Sequence, residues 1–262
     1  MKLMINHQTH YQYSEAARNS IQYIKMIPQS GGHQRVHSWD LSIPGTYDTQ
    51  RDAFNNLWVT STQRYAYQQL TIMVQGIVEI DQKCETSMLN DVIHPSVFLQ
   101  PTIMTECNRE MSAFAHEYVQ QKTRAELQAL AAAILEYIPY CPQATEVHTP
   151  AAEVFKAHQS GGVCQDHSHI FIAMCRALGI PARYVSGYLY APDMIHLASH
   201  AWAEAYIDQT WYCFDISNQI FTPRSHIYVA IGRDYYDVAP IRGVREHGGL
   251  ETMHSIVQVL PC

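Results

Sequence analysis

The stretch "SGGVCQDHSHIFIAMCRALGIPARYVSGY", residues 160 to 188, constrains the fold more than any other part of the chain. Ile170, Met174 and Leu178 recur at helical spacing on one stripe, Gly179 stands where helices commonly end, and Pro181 cannot continue one. The pattern predicts a helix of about four turns starting near Cys164. "ARYVSGYLY" follows as a strand, "SHAWAEAYI" alternates with period two, and "WYCFDIS" returns as its partner across "DQT". A helix followed by antiparallel strands is an α+β arrangement.

The first hundred residues have a different texture. "KLMINHQTHYQY" partly alternates, and "NSIQYIKMIP" and "QRVHSWDLSIP" carry β-branched and aromatic residues closed off by Pro and Gly. "NNLWVTSTQRYAYQQLTIMVQGIVEI" reads as two further strands, with Leu70, Ile72 and Val74 on one face. Residues 1–105 are therefore expected to form an antiparallel β domain, and residues 106–262 a second, α+β domain. In "KTRAELQALAAAILEYI", Thr123 and Glu126 form a capping-box pair, and Leu127, Leu130, Ile134 and Ile138 follow at helical spacing. "TPAAEVFKAH" is a short helix that Gly161 and Gly162 bring to an end.

At 262 residues, with 47% hydrophobic and 16% charged residues, the chain is an ordered globular protein able to bury a substantial core. A formal charge of −7 with no basic run excludes an electrostatic reason to bind nucleic acid. No stretch reaches the roughly 18 apolar residues of a bilayer span, so no membrane association is expected. "MKLMINHQTHYQYSE" lacks the apolar run and cleavage site of a signal peptide, and the seven cysteines, at 84, 107, 141, 164, 175, 213 and 262, form no CxxC pair. Reduced thiols in the cytoplasm are the expectation. Oligomeric state is open; a homo-oligomer fits the sequence as well as a monomer does.

Cys164 is the residue on which function turns. A thiol at a helix N-terminus meets unpaired backbone N–H groups and the positive end of the macrodipole, both of which favour the thiolate. The same N–H groups can hold an oxyanion. A nucleophilic thiol needs a base, and the base needs an orienting acceptor. The chain supplies His200, on a strand whose other face is Ala201, Ala203 and Ala205, and then Asp215 on the returning strand. His200 shares its face with Trp202, Glu204 and Tyr206, a costly set unless it lines a site. With a Gln209-Thr210 loop, Asp215 falls opposite Glu204, roughly 13 Å along the strand from His200. That register is too long for a hydrogen bond.

The segments "GGVCQDHSHIFIAMCRALGIPARYVSGYL", "SHAWAEAYI" and "WYCFDISN", with "VAIGRDYYDVAPIRG" after them, closely resemble the bacterial transglutaminase-like proteins, whose core is related to papain-type cysteine proteases. The resemblance implies a Cys-bearing helix packed on an antiparallel sheet, with the opening β segment as the N-terminal domain often fused to it. It implies Cys164 as nucleophile, His200 as general base and acid, and Asp215 as the group orienting the imidazole. The activity implied is amide chemistry through a thioester, most simply hydrolysis of a peptide, protein or small amide, with transamidation to an amine as the alternative. Two departures from the family stand out: His167 stands where an aromatic is common, and Asp215-Ile216-Ser217-Asn218 replaces Asp-Pro-Thr-Asn, losing its proline.

Rival readings are weaker. Cys164, His167 and His169 lie close in sequence, as do His196 and His200, but no second cysteine pair completes a zinc set, so no metal or other cofactor is expected. A non-catalytic binding module is the other alternative, since fold does not fix function. Trp202, Asp166 and His169 are candidate substrate-binding residues. Arg233 and Asp234 read as a structural ion pair, and Cys175 and Cys213 as core thiols.

Overall fold

The computed structural model describes residues 1–87, 92–192 and 199–262. In chain order the elements are β1 (Lys2–Ile24), β2 (Gln34–Ser42), β3 (Thr46–Arg51), β4 (Leu57–Gln63), β5 (Tyr67–Ile80), α1 (Arg109–Tyr118), α2 (Arg124–Tyr137), α3 (Ala151–Lys156) and α4 (Cys164–Ala177). They continue with β6 (Ala182–Leu189), β7 (His200–Ile207), β8 (Thr210–Phe214), β9 (His226–Gly232), α5 (Tyr235–Val238), β10 (Ile241–His247) and β11 (Glu251–Pro261). Among the described residues the strands make two sheets. One has seven strands, with the path β2-β5-β1-β4-β3 and with β10 and β11 also on β1; the other has four, β8-β7-β6-β9. The architecture is α+β, as expected.

Two features of the large sheet depart from the sequence reading. The first two expected strands are one, because β1 pairs along its opening half with β5 and β11 and along its closing half with β4 and β10, changing partners around Ala17. The expected division at residue 105 also needs correction. β10 and β11 return to β1 and complete the first sheet, so residues 241–261 belong structurally with the N-terminal strands. The sheets pack through a shared cluster in which Leu3, Ile5, Val78 and Ile80 meet Tyr188, Ile227 and Val229 of the small sheet. Full burial of each aliphatic side chain there contributes about 1.5–3 kcal/mol.

α4 is the central helix. Every residue from Gln165 to Arg176 is buried, so the helix has no solvated face despite its polar Asp166, His167, Ser168 and His169. The small side chains Ala201, Ala203 and Ala205 let β7 lie flat against it, and α1, α2 and α3 cover the rest. Gly179, at φ 73°, closes the helix as expected. Arg176 ties its last turn to the surroundings: the guanidinium donates to the carbonyls of Phe98, Ala182 and Arg233 and to the Thr105 hydroxyl, at 2.6–2.9 Å. The capping box of α2 is present as read, with Thr123 and Glu126 satisfying each other's backbone N–H.

Candidate active site

Cys164 is the first residue of α4, and the local sequence explains why the helix starts there. The Asp166 carboxylate reaches back to accept the Val163 N–H at 2.8 Å and also takes the Thr145 hydroxyl at 2.6 Å. Gly161 adopts φ 77°, and a Cβ there would lie 2.6 Å from both the Pro139 carbonyl oxygen and the Cys141 Cβ. Only glycine fits. Backbone bonds from Gly162 to Pro139 and from Cys141 to Gly162, 3.0 and 2.9 Å, clamp the chain ahead of the cysteine. Cys164 itself is partly exposed, whereas Cys175 and Cys213 are buried, as core thiols should be.

His200 opens β7, opposite Gly187 of β6, and Asp215 follows the last residue of β8. The turn between these strands is Asp208-Gln209, at φ 49° and 61°, the backbone of a two-residue hairpin of the primed kind. Ala203 therefore pairs with Phe214, and Asp215 falls two residues nearer to His200 than a Gln209-Thr210 loop allows. The Nε2–H of His200 donates to Asp215 Oδ2 at 2.7 Å. The expected obstacle came from the wrong turn residues.

The carboxylate is fully buried, which by itself favours its neutral form, yet the charge and hydrogen bond of His200, with the bond from His226, hold it far below the usual carboxylate range. Burial likewise opposes charge on His200. The Asp215 charge and hydrogen bond outweigh it, aided by a side-chain hydrogen bond with Cys164, and raise the imidazole well above its ordinary value. With Nε2 on Asp215, Nδ1 is the ring nitrogen left for the thiol. The site can thus hold a thiolate against an imidazolium anchored on a carboxylate.

Four residues join this group that sequence reasoning did not single out as functional. Asn218 Nδ2 donates to Asp215 Oδ2 at 2.9 Å, and its backbone N–H to Oδ1 at 3.2 Å. His226, the first residue of β9, donates from Nε2 to the same Oδ2 at 3.0 Å. Ser217 Oγ lies 2.8 Å from Nδ1 of His167, whose Nε2 donates to the Ile138 carbonyl at 2.8 Å. His167 and Ser217, one from each stretch that departs from the family pattern, thus meet each other, while Ile216, in place of the proline, is buried. Tyr140 is half exposed at its edge; burial raises its phenol, and the charges of Cys164 and Asp215 raise it further. Asn218 stood in a quoted motif and Ser217 beside it; nothing in the sequence marked His226 or Tyr140.

The expected substrate contacts of Trp202, Asp166 and His169 are corrected by burial, since all three are at most 1% exposed. Trp202 packs with Val185, Cys213, Tyr228 and Ile231, its ring 5.8 Å from that of His200. Asp166 caps α4 from within. His169 Nε2 accepts the Tyr235 N–H at 3.1 Å, and burial keeps the ring neutral, pushing it down to about 3. The costly face of β7 is resolved by an ion pair: Glu204 lies directly across from Arg183 on β6, with Nη2–Oε2 at 2.6 Å. Arg233 pairs with Asp237, at 2.8 Å, and not with Asp234, which caps α5 instead.

Among the described residues, His200, Asp215 and His226 are the trio whose ligand atoms lie close enough to share a metal ion, within 4.8 Å of one another. Both imidazoles, however, already place Nε2 on the one carboxylate oxygen, and these hydrogen bonds account for the cluster. His167 and His169 are engaged elsewhere, and His196 lies outside the described residues.

Residues 112–216 match the model of the Transglutaminase-like superfamily core, and residues 3–79 match the model of the Bacterial transglutaminase-like N-terminal region. A protein from Cytophaga hutchinsonii, solved as a candidate cysteine protease, superposes with a TM-score of 0.78 over all of this chain and 91% of its own, at 22% identity. An uncharacterised protein of Mycobacterium leprae is 28% identical over 276 residues, covering 98% of both chains. An uncharacterised protein of Mycobacterium tuberculosis is 28% identical over 274 residues, 92% of this chain and 86% of that one.

Proposed function

Because the chain belongs to the transglutaminase-like superfamily, whose members are typically cysteine enzymes, we propose that it is a thiol-dependent amide-bond hydrolase using Cys164, His200 and Asp215. The observation that carries the reading is the 2.7 Å contact between His200 Nε2 and Asp215 Oδ2 beside a cysteine that begins a buried helix. In this mechanism the Cys164 thiolate attacks the carbonyl carbon of a peptide or amide. Backbone N–H groups at the start of α4 hold the developing oxyanion. The His200 imidazolium protonates the departing amine as the C–N bond breaks, which leaves a thioester and a neutral imidazole. A water then attacks the thioester, giving its proton to His200, and the C–S bond breaks to release the carboxylic acid and restore the ion pair. Asp215 keeps the imidazole turned towards the thiol throughout.

Water is favoured as the second nucleophile because the thiol is partly exposed and half-exposed Tyr140 borders the site, so solvent is not excluded. An activated ester tests the acyl-enzyme without knowledge of the natural substrate. Incubation with p-nitrophenyl acetate is expected to give a burst of p-nitrophenolate and an acetyl group on Cys164 by mass spectrometry, absent in Cys164→Ala. Turnover unchanged by added cadaverine fits hydrolysis, whereas turnover that rises with the amine, with acetylcadaverine formed, moves the assignment to transamidation. No acetylation at Cys164 refutes both.

A further inference from the structure

Asp215 does not serve His200 alone. His226 reaches the same carboxylate oxygen from β9, at the far edge of the small sheet from β8, and its side chain is entirely buried. The Trp202 ring lies against both histidines, with centroids 5.8 Å from His200 and 4.6 Å from His226. His226 is in turn gripped by the other sheet. The Nε2–H of His33 donates to the His226 carbonyl at 2.9 Å, and the Gln34 side chain spans the Tyr228 backbone, accepting its N–H and donating to its carbonyl, both at 2.8 Å. Asn218, the other side chain on Oδ2, is partly solvent-exposed on a turn. His226 is the buried donor, fixed on a strand.

We propose that His226 is a positioning residue for the thiol chemistry, donating its Nε2–H to Asp215 so that the carboxylate stays aligned on His200, and that the N-terminal β unit completes the site by holding His226 through His33 and Gln34. This rests on the reading of Cys164, His200 and Asp215 given above. Burial disfavours the charged form of His226, so a neutral ring makes the donation. It also gives the first sheet a part in the chemistry, beyond shielding the second.

Other titratable groups surround the pair. Asp215 is felt by His167 from α4, Cys213 from β8 and Tyr140 from the segment between α2 and α3. His226 is faced by His200 from β7 and by His33 from the turn that leads into β2, which also senses Glu204. The His226 variants leave all of these in place, and His33→Leu and His200→Ala each remove one of them by design. Limiting iodoacetamide is applied to the full chain from pH 5 to 9, and the rate at Cys164 is read by peptide mass spectrometry.

His226→Leu is expected to slow Cys164 alkylation at pH 6 by about tenfold, the size of one lost hydrogen bond to a charged group, and to move the acid limb upward. His226→Gln, whose amide nitrogen can occupy the place of Nε2, keeps the wild-type profile. Should the leucine variant fail to fold by circular dichroism, His226→Asn, whose amide stops short of Asp215, carries the same expectation. His33→Leu shifts the profile in the same direction. A wild-type profile in the leucine or asparagine variant, or an equal loss in His226→Gln, overturns the role of His226; a wild-type profile in His33→Leu overturns the part given to the first sheet. His200→Ala separates the two readings. If it too leaves Cys164 unaffected, the proposed function fails; if it slows Cys164 while His226→Leu does not, only this inference fails.

Discussion

Replacing Arg183 by methionine isolates what holds the face of the small sheet behind the site. Arg183 and Glu204 are cross-strand partners with side chains 1% and 0% exposed, and both Nε and Nη2 of the arginine lie 2.6 Å from Glu204 Oε2. The guanidinium also sits 4.1 Å over the Trp211 ring. Glu204 Oε1 accepts the hydroxyls of Ser87 and Tyr228. Removing one partner of a buried pair costs about 3–5 kcal/mol, because the other charge stays buried without compensation. The two hydroxyls soften this, so Arg183→Met is expected near the lower end, about 3 kcal/mol. At about 2–4 °C per kcal/mol for a chain of this size, the melting temperature falls by about 6–12 °C.

Arg183→Met combined with Glu204→Gln removes both charges and keeps an acceptor for the two hydroxyls. It is expected to recover most of the loss, leaving the double variant within about 1–2 kcal/mol of wild type. Thermal melts followed by circular dichroism, with urea titrations, give the four corners of the cycle. A single variant that loses under about 1 kcal/mol, or a double variant as unstable as the sum of the singles, refutes the reasoning. The pair would then contribute no buried-charge penalty.

Gly161→Ala places a Cβ at a left-handed φ and against the Pro139 carbonyl; it is expected to destabilise by at least about 1 kcal/mol and to slow Cys164 alkylation, both read on one preparation. His167→Phe restores the aromatic common in the family but strips the Ile138 carbonyl of its donor and Ser217 of its partner, for a loss of about 1–3 kcal/mol by urea titration; a neutral result contradicts the paired-departure reading. Raised above its ordinary 6.5 to about 10, His200 contributes stability that is whole below pH 6.5 and is lost as pH rises towards 10. The melting-temperature gap between wild type and His200→Gln should therefore shrink from pH 6 to pH 10, and a constant gap would falsify the charged pair.

What the sequence made legible follows from how local each signal is. The start and end of α4, the capping box of α2 and the strand β7 depend on residues within one or two turns of each other, and all appear where expected, although β7 is buried on both faces. β1 was not legible as one strand, because "SEAARNS" reads as a polar break and is held extended only by partners far along the chain. β10 and β11 are mostly exposed; they belong to the first sheet through pairing with residues 217 to 258 positions upstream, which no window reveals. Cys164, His200 and Asp215 stood out by order and motif, but the reach from His200 to Asp215 depended on a hairpin turn without glycine, Asp208-Gln209. His226 is one of fifteen histidines in an otherwise apolar strand and gains meaning only from the oxygen it reaches.

The central claim is a thiolate–imidazolium pair at Cys164 and His200, and cysteine-by-cysteine alkylation tests it most directly. With limiting iodoacetamide between pH 5 and 9, Cys164 is expected to react first among the seven thiols, to keep reacting at acidic pH where a free thiol is protonated, and to lose that advantage in His200→Ala. If Cys164 reacts no faster than the exposed Cys141 and Cys262, and His200→Ala changes nothing, the contradiction is complete: the site is not a thiol enzyme, and the fold serves as a binding scaffold.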